Sequence, residues 1–466
     1  MHKIESSLLN FYQKYTLNSD NSCEKSKALS IAYSGGLDSS VLLFASKQLL
    51  NNNLVEKIQA LHVNHGIENE SDSWQSHCES VCEKLSIKIL CKKLNLLTFS
   101  HKINENIARN ARYEFFKSKV EQGSLIAFAH HRDDQVETLL FRLFRGTGIA
   151  GAGAIPQTRK LGNARVIRPF LNISKNELVE YAEKNNLSWI DDPSNHRNQY
   201  SRNIIRNNIL PIIQKTWPKV FDSLNSFTHI AREQNSILQE VAESDLLGHS
   251  LENKRQLYLS KFIKLSNARQ KNLLHYWTAS VSENEFSRAT YQESEELLKQ
   301  LNNLLLGKHA DSTKQSKLNV KLGNHRIRLY DEKLWLCSDL EPVKLDKIID
   351  WNDIANSINI FNNRKIFVVN SHASTDKSEL LIRAPRDNEL VKIRPRVGGE
   401  KLKPHYRDKT CDLKKIYQEL NLPYWVREWL PIIYYNNQIA CVPGVFVNRN
   451  LLAKSTDTAI EFFLTK

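Results

Sequence analysis

Ala28-Leu29-Ser30-Ile31-Ala32-Tyr33-Ser34-Gly35-Gly36-Leu37-Asp38-Ser39-Ser40-Val41-Leu42 decides how this chain reads. Ala28 to Tyr33 has the length and apolar content of a buried parallel strand. Asp38 to Leu50 places Val41, Leu42, Ala45 and Leu49 at helical spacing. The string Ser34-Gly35-Gly36-Leu37-Asp38-Ser39 lies between them. Adjacent glycines let the backbone turn sharply and come close to a ligand. The turn brings free N–H groups and a helix N-terminus to one spot, which makes an anion site. Asp38 does not belong in a pure anion cradle; a bound Mg²⁺ would account for it.

Outward from this string, strands alternate with helices. Lys57–His65, Ile87–Lys92 and Ser124–Ala129 read as strands. Ser71–Leu85, Asn104–Glu121 and Arg132–Arg145 read as helices. That alternation predicts βαβ units on a parallel, Rossmann-like sheet, with ligands beyond the carboxyl ends of the strands. His62–His65 and His130–Asp134 then fall beside the glycine turn. The string Ser-Gly-Gly-x-Asp-Ser, in its strand-to-helix setting, resembles the PP-loop of the ATP pyrophosphatase superfamily. That resemblance implies an α/β domain that cleaves ATP to AMP and pyrophosphate while adenylating a substrate oxygen.

The 466 residues suggest two to four domains, and 41% hydrophobic residues are enough for packed cores. No apolar run approaches the roughly 20 residues of a membrane span, and the N-terminus has no apolar signal region. Seven cysteines without a Cys-x-x-Cys read as reduced, mostly buried thiols in a cytoplasmic protein. The net charge of +14 points to a polyanionic partner. Val391–Lys415 concentrates that charge, with nine Lys or Arg against three Asp or Glu. Its string Arg394-Pro-Arg396-Val-Gly-Gly-Glu-Lys401-Leu-Lys403-Pro-His-Tyr-Arg407 reads as a loop suited to RNA phosphates.

Further strings follow in order: His62-Val63-Asn-His-Gly66, Ala108-Arg109-x-x-Arg112-Tyr113, His130-x-x-Asp-Asp134-Gln-x-Glu137-Thr138, Arg168-Pro-Phe-Leu, Asp192-Pro-Ser-Asn195 and Arg202-Asn-x-x-Arg206. Together they resemble the bacterial tRNA(Ile)-lysidine synthetase family, strongly over 28–215. The likeness is weaker in the middle and returns around Lys414–Glu419 and Gly444–Phe446.

The resemblance implies an ATP-dependent ligase. It adenylates the C2 oxygen of the wobble cytidine, position 34, of a minor tRNA(Ile) with a CAU anticodon. An amine of free L-lysine then displaces AMP to give lysidine, so the tRNA changes from reading AUG to reading AUA. The implied requirements are ATP, Mg²⁺, this tRNA and L-lysine, with no membrane; a homodimer is compatible. The resemblance assigns Ser34, Gly35, Gly36, Leu37, Asp38, Ser39, His62 and Val63 to ATP, and Asp38 also to the metal. Asp38, Arg109, Arg112 and Asp134 are the expected catalytic set. Asp134, Glu137 and His130 are expected to hold lysine. Arg202, Arg206, Arg394, Arg396, Lys401, Lys403 and Arg407 are expected to hold tRNA.

The expected organisation is a PP-loop catalytic domain at 1–215, a mostly helical middle domain at 216–340, a connector at 341–379 and a small α/β tRNA-binding domain at 380–466. Gly146–Gly153 reads as a mobile glycine-rich segment near the site, Arg326–Leu336 as a hairpin, and Trp335 as a core residue. A PP-loop tRNA thiolase is the nearest alternative, but it needs a reactive cysteine pair or an iron–sulfur site. Cys78 and Cys82, four apart on a predicted helix, read as packing residues instead. A small-molecule amide synthetase would not need the basic C-terminal segment. A catalytically dead RNA-binding module is at odds with the intact loop and Asp38.

Overall fold

The computed structural model describes residues 1–17, 28–66, 70–94, 105–191, 201–250, 255–281, 289–306, 318–338, 345, 347–361, 364–371, 380–454 and 457–465. The string Asp192–Asn195 lies outside them. The chain forms two compact units, Met1–Leu238 and Gln239–Lys466.

The first unit is an open α/β sheet. Its strands are β1 (Leu29–Ala32), β2 (Ile58–Asn64), β3 (Lys88–Lys93), β4 (Leu125–Ala127), β5 (Thr158–Leu161) and β6 (Ala164–Ile167). They lie in the order β3-β2-β1-β4-β6-β5, and all but β5 run parallel. The helices are α1 (Lys3–Leu17), α2 (Leu37–Asn51), α3 (Ser71–Lys84), α4 (Glu105–Lys119), α5 (Arg132–Leu143), α6 (Ile149–Ala152), α7 (Lys175–Lys184), α8 (Ser201–Ile204), α9 (Leu210–Thr216) and the first part of α10 (Val220–His249), which runs on past Leu238. A π-helical turn, Ile205–Ile209, joins α8 to α9.

Alternate residues of the central strands feed two cores. Leu29, Ile31, Ile58, Ala60, Leu125 and Ala127 pack on one face with Val41, Leu42 and Cys78. Leu61, Ile126, Phe128 and Val166 pack on the other with Phe115 and Phe116 of α4. Burial on both faces explains why these strands read as nearly continuous apolar runs. The chain adds β2 and β3 on one side of β1, then crosses to place β4 on the other. The crevice at this reversal is where open α/β sheets bind ligands.

Two features of this unit depart from the sequence reading. Arg165–Arg168 leads out of a β-hairpin, β5–β6, which extends the sheet; Gly162 makes its turn at φ +56°. Gly146–Gly153, read as an open glycine-rich segment, contains α6 and is held by arginine side chains. Arg142 donates to the carbonyls of Gly151 and Ala154 at 3.0 and 2.9 Å, and Arg232 to that of Gly153 at 2.9 Å. Carbonyls at the end of this short helix thus receive guanidinium donors.

In the second unit, the antiparallel sheet β7 (Gln256–Tyr258), β8 (Asn319–Leu322), β9 (His325–Tyr330) and β10 (Lys333–Ser338) packs with helices Asn267–Val281 and Tyr291–Leu306. Trp277 is fully buried among them. Trp335 is not in this core. Leu334 and Leu336 face it, so strand alternation turns Trp335 to the opposite face. There its ring meets Trp425 edge-on at 6.0 Å.

The C-terminal part is mainly antiparallel sheet, with one seven-residue helix, Leu413–Glu419. The segment expected to be a connector contributes strands to it. Ile349–Asp350 pairs with Val391–Arg394, and Arg364–Ser371 pairs with Ala459–Leu464. Short apolar strands such as Ile358–Phe361 have no stability alone and must find sheet partners.

Candidate active site

The glycine turn sits at the carboxyl end of β1, at the reversal of strand order. Gly35 has φ +85°, and a Cβ there would lie 2.8 Å from both Cys78 Sγ and Ile190 Cδ1. Conformation and packing together restrict the position to glycine. Gly36 differs: it caps α2 at φ −75°, with no side-chain cap bond. The loop is braced from within. Ser34 N–H donates to Ser39 Oγ at 3.2 Å, Ser39 Oγ to Gly36 O at 3.0 Å, and Ser34 Oγ lies 3.0 Å from Ser39 Oγ. The N-terminus of a 15-residue helix is thus held open beside a bent backbone, a geometry that receives phosphate.

Asp38 lies in the first turn of α2. Its Oδ1 is buried with no hydrogen-bond partner among the described residues, and its Oδ2 lies 3.6 Å from His131 Nε2. An orphaned carboxylate oxygen next to a phosphate cradle fits a hard divalent cation, which typically takes one or two carboxylates and completes its shell with phosphate and water. Asp38 would hold such an ion.

His131, directly before α5, gathers the nearby carboxylates. Its ring nitrogens lie 3.6 Å from Asp38, 3.8 Å from Asp133 and 3.6 Å from Asp134. Burial would lower its pKa, but Asp134, Asp38 and Asp133 override that and raise it to about 9. Asp134 also accepts the His131 backbone N–H at 3.0 Å, in the manner of a capping box. Burial would raise the Asp134 pKa, yet His131, His130 and Arg202 hold it at about 2. The sequence reading chose His130, which instead stacks on Phe128 at 5.8 Å; burial presses its pKa down to about 3. The signal that points to His131 is its place three residues before Asp134 at a helix start.

One turn further on, Glu137 is buried and receives two arginines. Arg206 Nε and Nη2 donate to its two oxygens at 2.5 and 2.8 Å, and Arg202 Nε lies 3.4 Å from Oε2. Arg206 Nη2 also reaches Asp134 Oδ1 at 3.4 Å. The expected lysine-binding carboxylates and the expected tRNA-binding arginines therefore form one ion cluster, joining α5 to the turn that follows α8. Ile205 and Leu210 anchor that turn against Val136 and Leu140.

The other expected residues frame the crevice. His62 ends up buried on β2, with Nδ1 3.0 Å from Tyr33 O, and burial lowers its pKa. Val63 beside it is half-buried. Arg109, Arg112 and Arg159 converge on the Tyr113 ring, with 5.6, 5.9 and 5.4 Å to its centroid. Tyr113 stacks on Phe128, and Phe128 on His130, so a run of aromatic rings links this arginine group to the crevice. Cys78 and Cys82 are buried, and burial raises each thiol pKa to about 12, the opposite of what a reactive pair needs.

The basic C-terminal string proves partly committed within its own unit. Arg394 lies over Tyr434 at 4.4 Å and donates to Asn436 O and Asn437 Oδ1. Arg396 lies 4.0 Å from Glu400, and Arg407 is ion-paired with Glu419. Glu400 accepts the Val397 and Gly398 N–H groups, which gives the glycine tip a fixed shape. Lys401 is exposed and Lys403 half-buried on a short hairpin, Lys401–Leu402 with Cys411–Asp412.

Three family models match parts of the chain: a PP-loop domain at residues 1–213, a TilS substrate binding domain at 257–335 and a TilS substrate C-terminal domain at 391–462. A tRNA(Ile)-lysidine synthase of Coxiella burnetii is 31% identical over 97% of this chain and 94% of its own length. One from Legionella pneumophila (strain Lens) is 32% identical over 91% and 92%, and one from Shigella flexneri 30% identical over 97% and 99%. A solved U34-tRNA thiolase of Methanococcus maripaludis covers 49% of this chain and 80% of its own, at 16% identity and a TM-score of 0.39, too slight a likeness to bear on function.

Proposed function

Because this chain belongs to the tRNA(Ile)-lysidine synthase family, we propose that its switch-point crevice builds lysidine on a tRNA(Ile) with a CAU anticodon. The chain is a PP-loop, ATP-using, tRNA-modifying ligase. In the proposed reaction the C2 oxygen of the wobble cytidine attacks the α-phosphorus of ATP and pyrophosphate leaves. An amine of lysine then attacks C2, the C2–O bond breaks and AMP departs. The amine attacks unprotonated, and its proton passes to solvent or a nearby base.

The residues divide this work. The α2 N-terminus and the amides of Ser34–Ser39 hold the pyrophosphate, and the backbone at His62–Val63 receives adenine. A Mg²⁺ held by Asp38 would neutralise phosphate charge as pyrophosphate leaves. Arg109 and Arg112 face the nucleotide and the reacting base. Asp134 and Glu137, with His130 at the crevice edge, receive the lysine substrate, while Arg202 and Arg206 receive the flipped cytidine or its phosphates. Flipping is required because a stacked loop base does not present its C2 carbonyl. Lys401 and Lys403, with the more committed Arg394, Arg396 and Arg407, provide the remote tRNA contact.

The observation that carries this reading is the α2 N-terminus at Gly36, without a side-chain cap, with the orphaned Asp38 oxygen in its first turn. The test is to incubate the protein with ATP, Mg²⁺, radiolabelled lysine and tRNA(Ile) transcript bearing CAU, and to follow acid-precipitable label. Label that depends on ATP and on the cytidine at position 34 is expected. Labelling equally well with an adenosine there, or none at all, overturns the reading. Sulfur incorporation in place of lysine would favour the thiolase.

A further inference from the structure

Two phenylalanines lie in the open on a sheet face of the C-terminal part. The sheet has four antiparallel strands. Arg364–Ser371 and Ala459–Leu464 are central, flanked by Ile358–Phe361 and Ile382–Arg383. Alternation sends Ile366, Ile460 and Phe462 into the core. It turns Lys365, Phe367 and Val369 of one central strand, with Glu461 and Phe463 of the other, to the opposite face. Phe367 and Phe463 are directly opposite in the ladder. Their rings stack, with centroids 5.5 Å apart and planes 17° from parallel. Each is 36% exposed, and Val369 beside them is 44% exposed. Single exposed apolar residues are ordinary, but a contiguous group on two central strands is not.

Size and charge limit what can cover this face. The three side chains present on the order of 200 Å² of apolar surface. Each partner of a stable protein dimer buries about 800 Å², so a second copy is a poor match. A nucleobase needs one face only, and every base stacks on an aromatic ring. Lys365, exposed and two residues before Phe367, puts a cation where a stacked nucleotide carries its phosphate. Glu461, opposite Val369, puts a carboxylate acceptor near the amino group of a cytosine or adenine. Four-stranded sheets with aromatic side chains on their central strands take unpaired RNA bases in this manner. We propose that Phe367 and Phe463 form a stacking platform for the unpaired 3′-terminal bases of the tRNA. In a folded tRNA most bases are paired or stacked inside stems and joined loops, which leaves the anticodon loop and the 3′ end. The anticodon is assigned to the crevice of the first unit, so the 3′ end falls to this face. The proposal rests on the tRNA reading above. Stacking releases no counterions, so salt weakens it little.

The test is filter binding of the full-length protein to tRNA(Ile) transcript with an intact 3′ end and to the same tRNA with abasic sites in place of its terminal bases, which keeps every phosphate. Wild type is expected to bind the intact RNA roughly tenfold or more tightly, at low and moderate salt alike. Phe367→Leu combined with Phe463→Leu keeps the face apolar and is expected to bind both RNAs equally. Phe367→Tyr combined with Phe463→Tyr is expected to retain the preference. Equal affinity of wild type for the two RNAs overturns the proposal and needs no variant to fold. So does a leucine variant with native melting behaviour that still prefers the intact end. A wild-type dimer in sedimentation that the leucine substitutions dissociate also overturns it, since the face then pairs with a second copy. Should wild type bind neither RNA, the tRNA reading itself fails, an outcome distinct from failure of the platform alone.

Discussion

Glu137 is 2% exposed and both its oxygens are taken by one guanidinium, whereas the Arg407–Glu419 pair leaves each side chain 41% exposed. Both are arginine–carboxylate pairs, yet their surroundings give them different roles. At α5 the ions are screened little by water, and removing one partner strands a buried charge. At the C-terminal hairpin, water and salt screen the pair, and such contacts add little to stability. Geometry matters at the crevice, where a few groups must meet one reacting atom. Number matters at the hairpin, where sequence-independent phosphate contacts add up.

The sharpest break of this contrast would come at Asp38. Asp38→Asn is expected to reduce tRNA-dependent pyrophosphate release by roughly 100-fold or more, as loss of several kcal/mol of charge stabilisation requires. Filter-binding affinity for tRNA should stay within about twofold. Near-normal turnover would show that the orphaned oxygen carries no metal.

Glu137→Gln should separate the two half-reactions. Breaking a buried pair costs about 3–5 kcal/mol, less here because both arginines reach solvent. Lysine incorporation should therefore fall by roughly 100-fold while pyrophosphate release persists. A parallel fall in both, with the lysine concentration for half-maximal rate unchanged, would reduce Glu137 to a structural carboxylate.

Trp425 tests whether the second unit contains a site where geometry does matter. Its ring is packed by Tyr330 and Trp335 and lies 5.2 Å from the Arg328 guanidinium. Arg427 also donates to Tyr330 OH at 2.9 Å. Trp425→Ala is expected to cost about 3 kcal/mol, read as a lower denaturant midpoint for unfolding. An unchanged midpoint would show that the aromatic cluster contributes no stability.

Lys401→Gln combined with Lys403→Gln should lower the slope of log affinity for tRNA against log salt by about 1.4–1.8, with pyrophosphate release at saturating tRNA unchanged. An unchanged slope means that these lysines face only solvent. The smallest effect is expected at Arg407→Ala, a melting temperature indistinguishable from wild type. A lower one would mean that the hairpin pair is not the screened, exposed contact its surroundings indicate.

The sequence made the parallel sheet legible because Ile31, Ile58, Ala60 and Ile126 lie in short apolar runs between helical periods, and burial on both faces leaves that pattern. It showed the glycine turn because few residue types fit so bent a backbone, and Asp38 because a carboxylate is out of place in an anion cradle. The hairpin β5–β6 was not legible, because Thr158–Leu161 is a polar edge strand whose pairing depends on β6 lying beside β4. Trp335 was misplaced because a strand's period tells which residues share a face but not which face is covered.

The sequence by itself therefore determined the family, the glycine turn and the charged strings that the fold brings near it, since local spacing encodes turns, helix starts and strand periods. Tertiary structure alone decided the partners. His131 rather than His130 meets the carboxylates, because the start of α5 turns one ring toward Asp38 and stacks the other on Phe128. Arg206 meets Glu137 across 69 residues of chain because Ile205 and Leu210 pack against α5. Electrostatic pairing depends on distance in space and on burial, and neither is written in the spacing of residues along the chain.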